Sequence, residues 1–322
     1  MTSAEKLRIG VLAVVVLLVY IAAFAFVLLS IKHMLGRRRA EMVPALRRWL
    51  WWARTIAFTL AAIGIGCAAY AKFVEPYWLE VTHVRVEIRK LTAGSRPVRF
   101  VQISDVHSDR KARLEERLPE VIATEHPDFI VFTGDAVNSP EGLENFRTLM
   151  SRLAKIAPTY AVRGNWDVWY WSKLDLFGGT GATELAASAV RVPVPGTDIW
   201  VGGVPVGSEA QIPTVLAGIP ATAISVLLYH YPDEIEDIRG LGLDLYCAGH
   251  THGGQVAVPG YGALVTFSKF GKRYEAGLYH EGSTAMYVNR GIGMEGGAAP
   301  RVRFFARPEV TVIDLVPGFA QR

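Results

Sequence analysis

Five short polar clusters hold the residues best able to do chemistry: Asp105-x-His107, Gly134-Asp135, Gly164-Asn165, Tyr229-His230 and Gly249-His250-x-His252. Together they offer two carboxylates, one amide and four imidazoles, seven candidate metal ligands. That mixture of nitrogen and hard oxygen suits a borderline divalent ion such as Mn, Fe or Zn better than Ca or a lone Mg. Seven ligands exceed what one tetrahedral zinc takes. They match two ions about 3.5–4 Å apart that share a carboxylate. Each cluster alone is commonplace, since a histidine pair also occurs in cores with both rings hydrogen-bonded. No Gly-x-Ser-x-Gly turn or activated cysteine supplies a side-chain nucleophile.

Convergence requires elements that bring the clusters together. Residues 98–103, 129–133, 159–162, 224–229 and 243–248 read as buried strands, and each runs directly into one cluster. Residues 83–88 alternate and read as an edge strand. Apolar residues at helical spacing (Leu114, Leu118, Val121, Ile122, then Leu143, Phe146, Leu149, Met150, Leu153) place helices between the first three strands. Strand–helix–strand repetition implies parallel pairing with right-handed crossovers, and ligands then collect beyond the carboxyl ends of the strands. After Trp171 the expected elements are short strands at 190–194, 199–204, 256–258, 285–289, 302–305 and 310–315, with an acidic helix at 233–239. The expected fold class is α/β, an α+β sandwich of two packed mixed β-sheets flanked by helices.

The first quarter of the chain is different. Of the 322 residues 51% are hydrophobic, and the excess lies early. Residues 9–31 carry no charge, and at 1.5 Å rise per residue such a run spans roughly 30 Å, a bilayer core. A second run at 55–71 lies between Arg54 and Lys72, with Trp49, Trp51 and Trp52 at one end as an interfacial belt. The reading is a transmembrane helical hairpin, spans about 9–31 and 50–72, in an anchor covering residues 1–76, followed by a catalytic domain at 77–322. Residues 1–72 hold ten Lys/Arg against two acidic residues, so the basic balance belongs to the anchor and the remainder carries a net charge of −4. A mildly acidic domain argues against nucleic acid as a partner. The basic connector 32–54 belongs in the cytoplasm, which puts the domain on the outer face of the inner membrane if both spans cross and on the cytoplasmic face if one does. Cys67 falls in a span and Cys247 in a core strand, so they do not pair.

The ordered set Asp-x-His, Gly-Asp, Gly-Asn, His and Gly-His-x-His resembles the calcineurin-like metallophosphoesterases over about residues 98–315. The tail, from Gly291-Ile292-Gly293 through Pro300-Arg301 to Arg307-Pro308-Glu309-Val310, is similar to a membrane-associated bacterial branch, which includes UDP-2,3-diacylglucosamine pyrophosphohydrolases. By that resemblance Asp105, His107, Asp135 and His252 hold one divalent ion. Asp135, Asn165, His230 and His250 hold the other, with Asp135 bridging. Mn is expected first, with Fe, Zn or Mg as alternatives. The implied reaction is in-line attack on phosphorus by a hydroxide-like water on the ions, with Asp135, Asn165 and His250 at the reacting centre. The resemblance also implies a lipid-linked pyrophosphate substrate; soluble phosphomonoesters or diesters, and a non-catalytic metal-binding scaffold, are the competing readings. The oligomeric state is not legible.

One position departs from the family. A histidine commonly follows Gly-Asn; here it is Trp166, whose indole donates one hydrogen bond but is no acid. Trp166 and Arg163 are therefore read, with Asn165, as substrate-binding. The aromatic run Trp166, Trp169, Tyr170, Trp171 and Phe177 reads as core packing or as an apolar lip for lipid chains. Asp167 is expected to orient its neighbours, Asp109 and Asn138 to be peripheral, and His33, His83, His126 and His280 to lie on the surface. Lys269, Lys272 and Arg273 form a basic turn, by default solvated.

Overall fold

The computed structural model describes residues 20–21, 23–30, 44–295 and 301–318. The chain divides into two compact units, Met1–Val74 and Glu75–Arg322. In the first, helix α1 (Pro44–Phe73) contains the second expected span. Among the described residues one helical stretch, Arg47–Tyr77 with mean hydropathy 1.6, is long and apolar enough to cross a bilayer. Residues 20–21 and 23–30 are helical, and the rest of the first expected span and His33 lie outside the described residues.

The second unit is a two-sheet sandwich. Its first sheet has the order β1-β14-β2-β3-β4-β5, from β1 (Glu80–Ile88), β2 (Val98–Ile103), β3 (Phe129–Phe132), β4 (Thr159–Ala161), β5 (Thr183–Glu184) and β14 (Glu309–Pro317). Strands β2, β3 and β4 pair in parallel, and the crossovers carry α2 (Leu118–Thr124) and α3 (Leu143–Ala154). The second sheet has the order β12-β13-β9-β8-β7-β6. Its strands are β6 (Ser188–Val192), β7 (Ile199–Gly203), β8 (Ile224–Leu228), β9 (Leu245–Ala248), β12 (Gly277–Glu281) and β13 (Thr284–Val288), while β10 (Ala257–Val258) and β11 (Gly262–Ala263) pair as a separate two-stranded ribbon. Antiparallel pairs at β14–β2, β6–β7 and β12–β13 make both sheets mixed.

Alternation along the strands builds three apolar layers. Phe100, Phe129 and Val131 meet Val201, Val226, Leu245 and Cys247 between the sheets. Val101, Ile103, Ile130 and Phe132 turn outward onto Leu118, Ile122, Phe146, Leu149 and Leu153. Leu227, Tyr246 and Met286 pack on the other side against Ile212, Val215 and Ile235, from α5 (Ile212–Ala217) and α6 (Ile235–Ile238). Both cysteines are free, Cys247 in the inter-sheet core.

Two expectations need correction. The strand expected at 302–305 is absent; among the described residues the segment makes only an isolated bridge, Val256 to Phe304. Alternation there reflects Arg303 turned fully inward rather than a pleat, and Phe305 has φ 53. The helix expected at 233–239 shortens to a single turn, α6, preceded by a 3₁₀ turn at Pro232–Glu234.

Candidate metal centre

All five polar clusters emerge from carboxyl ends of parallel strands. Asp105 follows β2, Asp135 follows β3, Asn165 follows β4, His230 follows β8 and His250 follows β9. Asn165 opens a one-turn helix, α4 (Asn165–Trp169). Three of the strands belong to one sheet and two to the other, so the ligand loops meet across one rim of the sandwich. That meeting demands close backbone approach. A side chain on Gly134 would lie 2.6 Å from the Gly164 Cα, and Gly134 holds φ 107.

Asp105, His107, Asp135, His250 and His252 all have φ between 44° and 72°. The left-handed region is costly for residues with a Cβ, and such strain persists where the surroundings over-determine it, commonly at functional sites. Here the loop amides explain how it is held. Asp105 N donates to Gly134 O at 2.8 Å and His107 N to Asp135 O at 3.1 Å, while His250 N donates to the Asp105 carboxylate at 3.1 Å.

The side chains converge tightly. His252 Nε2 lies 3.2 Å from Asp105 Oδ1. Asp135 Oδ2 stands between two rings, 3.2 Å from His230 Nε2 and 3.6 Å from His107 Nε2. Two triads, Asp105–His107–His252 and Asp105–Asp135–His230, each present ligand atoms within 4.8 Å of one another. His250 packs edge-on to His230, ring centroids 5.2 Å apart. His107 Nε2, His230 Nε2 and Asn165 Oδ1 are buried without a hydrogen-bond partner. Buried polar atoms are rarely left so, and here the two imidazole nitrogens face the Asp135 carboxylate that a cation would share. The donor set therefore fits a pair of divalent ions. His230 is further oriented by its Nδ1, which donates to Thr133 O at 2.8 Å and leaves Nε2 facing Asp135.

Electrostatics agree with that fit. Burial pushes His107 down to about 4 and His250 down to about 3, so both are neutral ligands at pH 7. Burial works against the His230 imidazolium too, but Asp135 and Asp105 carry its pKa up to about 9. Burial likewise opposes ionisation of Asp135 and Asp105, yet His230 and His252 respectively hold the two carboxyls below the ordinary range.

A cavity of about 390 Å³ opens beside this cluster, lined by Asp135, Asn165 and His250 with Trp169, Tyr231 and Phe267. Trp166 follows the lining residue Asn165 without itself lining the cavity: the indole meets the His107 ring edge-on, and the backbone N donates to Asp135 Oδ1 at 2.8 Å. Asp167 is fully buried and accepts from the amides of Asp135, Ala136 and Gly164 at 2.8–2.9 Å. Burial and the Asp135 charge lift its pKa to about 7.

Arg163 does not join the cavity: its Nε donates to Glu184 at 2.6 Å and its Nη2 to Leu174 O. The aromatic run splits. Phe177 is core and Trp171 packs against it, whereas Trp169 and Tyr170 are exposed. Asn138 donates to His107 O and Asp109 pairs with Arg301, one shell out. His83, His126 and His280 are exposed. Lys269 reaches the cavity wall, while Lys272 and Arg273 pair with Glu275, Glu236 and Glu281. Glu295, not anticipated from the sequence, also lines the cavity, its pKa raised by burial. It stands in a non-periodic loop with no spacing to flag it.

Residues 98–254 match the model of the calcineurin-like phosphoesterase family. The metallophosphoesterase YkuE of Bacillus subtilis is 32% identical, over 78% of this chain and 90% of its own length. The phosphodiesterase YaeI of Escherichia coli is 33% identical, over 81% and 96%. The UDP-2,3-diacylglucosamine pyrophosphatase LpxG of Chlamydia trachomatis is 24% identical, over 79% and 94%. With the ligand clusters gathered at one rim and these relatives aligned across nearly their whole lengths, the chain belongs to the calcineurin-like metallophosphoesterase family and is a hydrolase of phosphoester bonds.

Proposed function

We propose that the protein is a membrane-anchored, dinuclear metal-dependent enzyme that hydrolyses a phosphodiester or pyrophosphate in a lipid-linked substrate. Asp105, His107, Asp135 and His252 hold one ion, and Asp135, Asn165, His230 and His250 the other. When bound, the ions offset phosphate charge and acidify a water, so no side-chain nucleophile is needed. Asn165 and His250 line the cavity and orient the phosphoryl group, and Trp166 covers the His107 side of the site.

The observation that carries the lipid reading is the cavity wall. Trp169 and Phe267 are 61% and 51% exposed, yet both line the cavity that holds Asp135, Asn165 and His250. Exposed aromatics beside a charged centre suit a substrate with an acyl part next to its phosphate. LpxG, a UDP-2,3-diacylglucosamine pyrophosphatase, supports the same substrate class. Trp166 supports a good leaving group. Loss of a general acid costs about 10²–10⁴ in rate for a basic alkoxide, whereas a phosphate leaving group, with second pKa about 6, hardly needs a proton.

The test is a substrate panel in mixed micelles with added Mn, using Asp135→Ala as blank. UDP-diacylglucosamine-type pyrophosphates and lipid diesters are expected to turn over faster than soluble diesters and alkyl monoesters. Equal rates on soluble esters would replace this reading with a phosphodiesterase of soluble substrates; YaeI is itself named a phosphodiesterase. No turnover above the blank would leave a metal-binding scaffold.

A further inference from the structure

The loop after β13 contributes none of the seven proposed metal ligands, yet it is packed directly behind the first ligand cluster. Ile292 N donates to Ser104 O at 3.0 Å and Gly293 N to Asp105 O at 2.6 Å. A side chain on Gly291 would stand 2.6 Å from the Asp105 Cβ, and one on Gly293 2.6 Å from the His107 Cβ. Glycine is needed at both for the loop to touch the two ligands at all.

What holds this loop in place is a buried charge. Arg303 is fully buried, and its Nε donates to Gly293 O at 2.8 Å. Its Nη2 reaches Arg290 O at 2.9 Å, Gly291 O at 3.1 Å and Gly293 O at 2.5 Å. The same nitrogen is 3.4 Å from His252 Nδ1. On its far side Nη1 donates to Ala306 O at 2.8 Å. Ala306 is gripped in turn by a second buried charge. The Glu75 carboxylate, in a residue fully shielded from solvent, accepts from Ala306 N at 2.6 Å and Phe305 N at 2.9 Å. A buried charge is costly to desolvate, and these hydrogen bonds are what compensates both Arg303 and Glu75. The clamp reaches the backbone or side chain of Asp105, His107 and His252. None of the hydrogen bonds described for Glu75 or Arg303 goes to Asn165, His230 or His250.

We propose that Arg303, tied through Ala306 to Glu75, is a positioning residue that sets Asp105, His107 and His252 to receive the first ion and meets the second ion's ligands only through Asp105, whose carboxylate accepts from His250 N. This rests on the two-ion reading. Neither residue belongs to the ligand clusters, and the tail motif that contains Arg303 acquires a physical role.

The test titrates the metal-stripped full-length protein in detergent with Mn²⁺, by calorimetry and by electron paramagnetic resonance. Wild type is expected to take two ions with an exchange-coupled spectrum. Arg303→Met, melting cooperatively, is expected to bind one ion as wild type does and the other about 10–100-fold more weakly, as for loss of an outer partner of a metal ligand. The spectrum then becomes that of isolated Mn²⁺ at one equivalent. Arg303→Lys recovers part of the loss. Glu75→Gln, which keeps the shape, moves the same affinity in the same direction and decides the matter if Arg303→Met does not fold. Unchanged affinities, or an equal fall in both, in whichever variant folds would overturn the proposal. A wild-type protein that binds no pair of ions would instead refute the dinuclear reading beneath it.

Discussion

His230 is the residue on which the site's proton balance turns. Its Nδ1 is committed to Thr133 O, so an ion must use Nε2, which carries a proton in the metal-free imidazolium. With that pKa near 9, metal entry at pH 7.5 displaces the proton, and affinity should rise with pH until about 9. Calorimetry in buffers of different ionisation enthalpy should report about one proton released at pH 7.5; no buffer dependence would contradict the assignment. Stability of the metal-free protein runs the other way. A raised imidazole pKa contributes fully below its ordinary value of 6.5, and that contribution is lost as pH climbs through about 9. The depressed Asp135 carboxyl adds stability that is lost only as pH falls into the acid range. Trp166 gives a second prediction at this scale. Trp166→His keeps the backbone bond to Asp135 and adds an acid beside His107. The ratio of alkyl to p-nitrophenyl phosphate turnover should rise by about tenfold or more. An unchanged ratio means that leaving-group protonation is not what this position controls.

At the level of elements, Asp167 joins two loops. Its carboxylate takes the amides of Asp135, Ala136 and Gly164 at the ends of β3 and β4. Asp167→Ala strands three buried donors at about 1–3 kcal/mol each, so thermal melting should show a loss of roughly 3 kcal/mol or more. A loss below about 1 kcal/mol would mean that water replaces it. Such connections explain what was legible in advance. Strands β2, β3, β8 and β9 were readable because each is an apolar run ending in a polar cluster, and the ligands came with them. Two other strands were not: β12 has the half-buried sequence Gly-Leu-Tyr-His-Glu, and β5 is two residues long. The strand expected around Arg303 failed because a buried arginine reads as solvent-facing in an alternating pattern. Arg163 failed because its partner, Glu184, lies on β5, which local sequence does not reveal. Asp167 and Trp169 lie two and four residues beyond Asn165 and were noticed, but Phe267 reaches the cavity from a distant turn.

Across the whole molecule, charge and hydropathy divide where the chain divides. Residues 1–72 carry a net charge of +8, and the stretch Arg47–Tyr77 suits a bilayer, while the sandwich is mildly acidic. Under the proposed membrane anchoring, Trp169 and Phe267 would serve as a rim for acyl chains. Replacing both with Ser should raise KM for micellar lipid substrate at least about tenfold while leaving kcat/KM on a soluble aryl phosphate within about twofold. Equal losses on both substrates would place these rings in folding rather than recognition. The anchor reading predicts that the full chain sediments with membranes and resists carbonate extraction. The proposed hydrolysis needs a pair of ions seated between Asp105, Asp135 and the four histidines. Anomalous diffraction from Mn-loaded crystals tests it most directly. Two peaks about 3.5–4 Å apart with Asp135 between them are expected; a single peak, or a pair elsewhere on the surface, would contradict the two-ion arrangement.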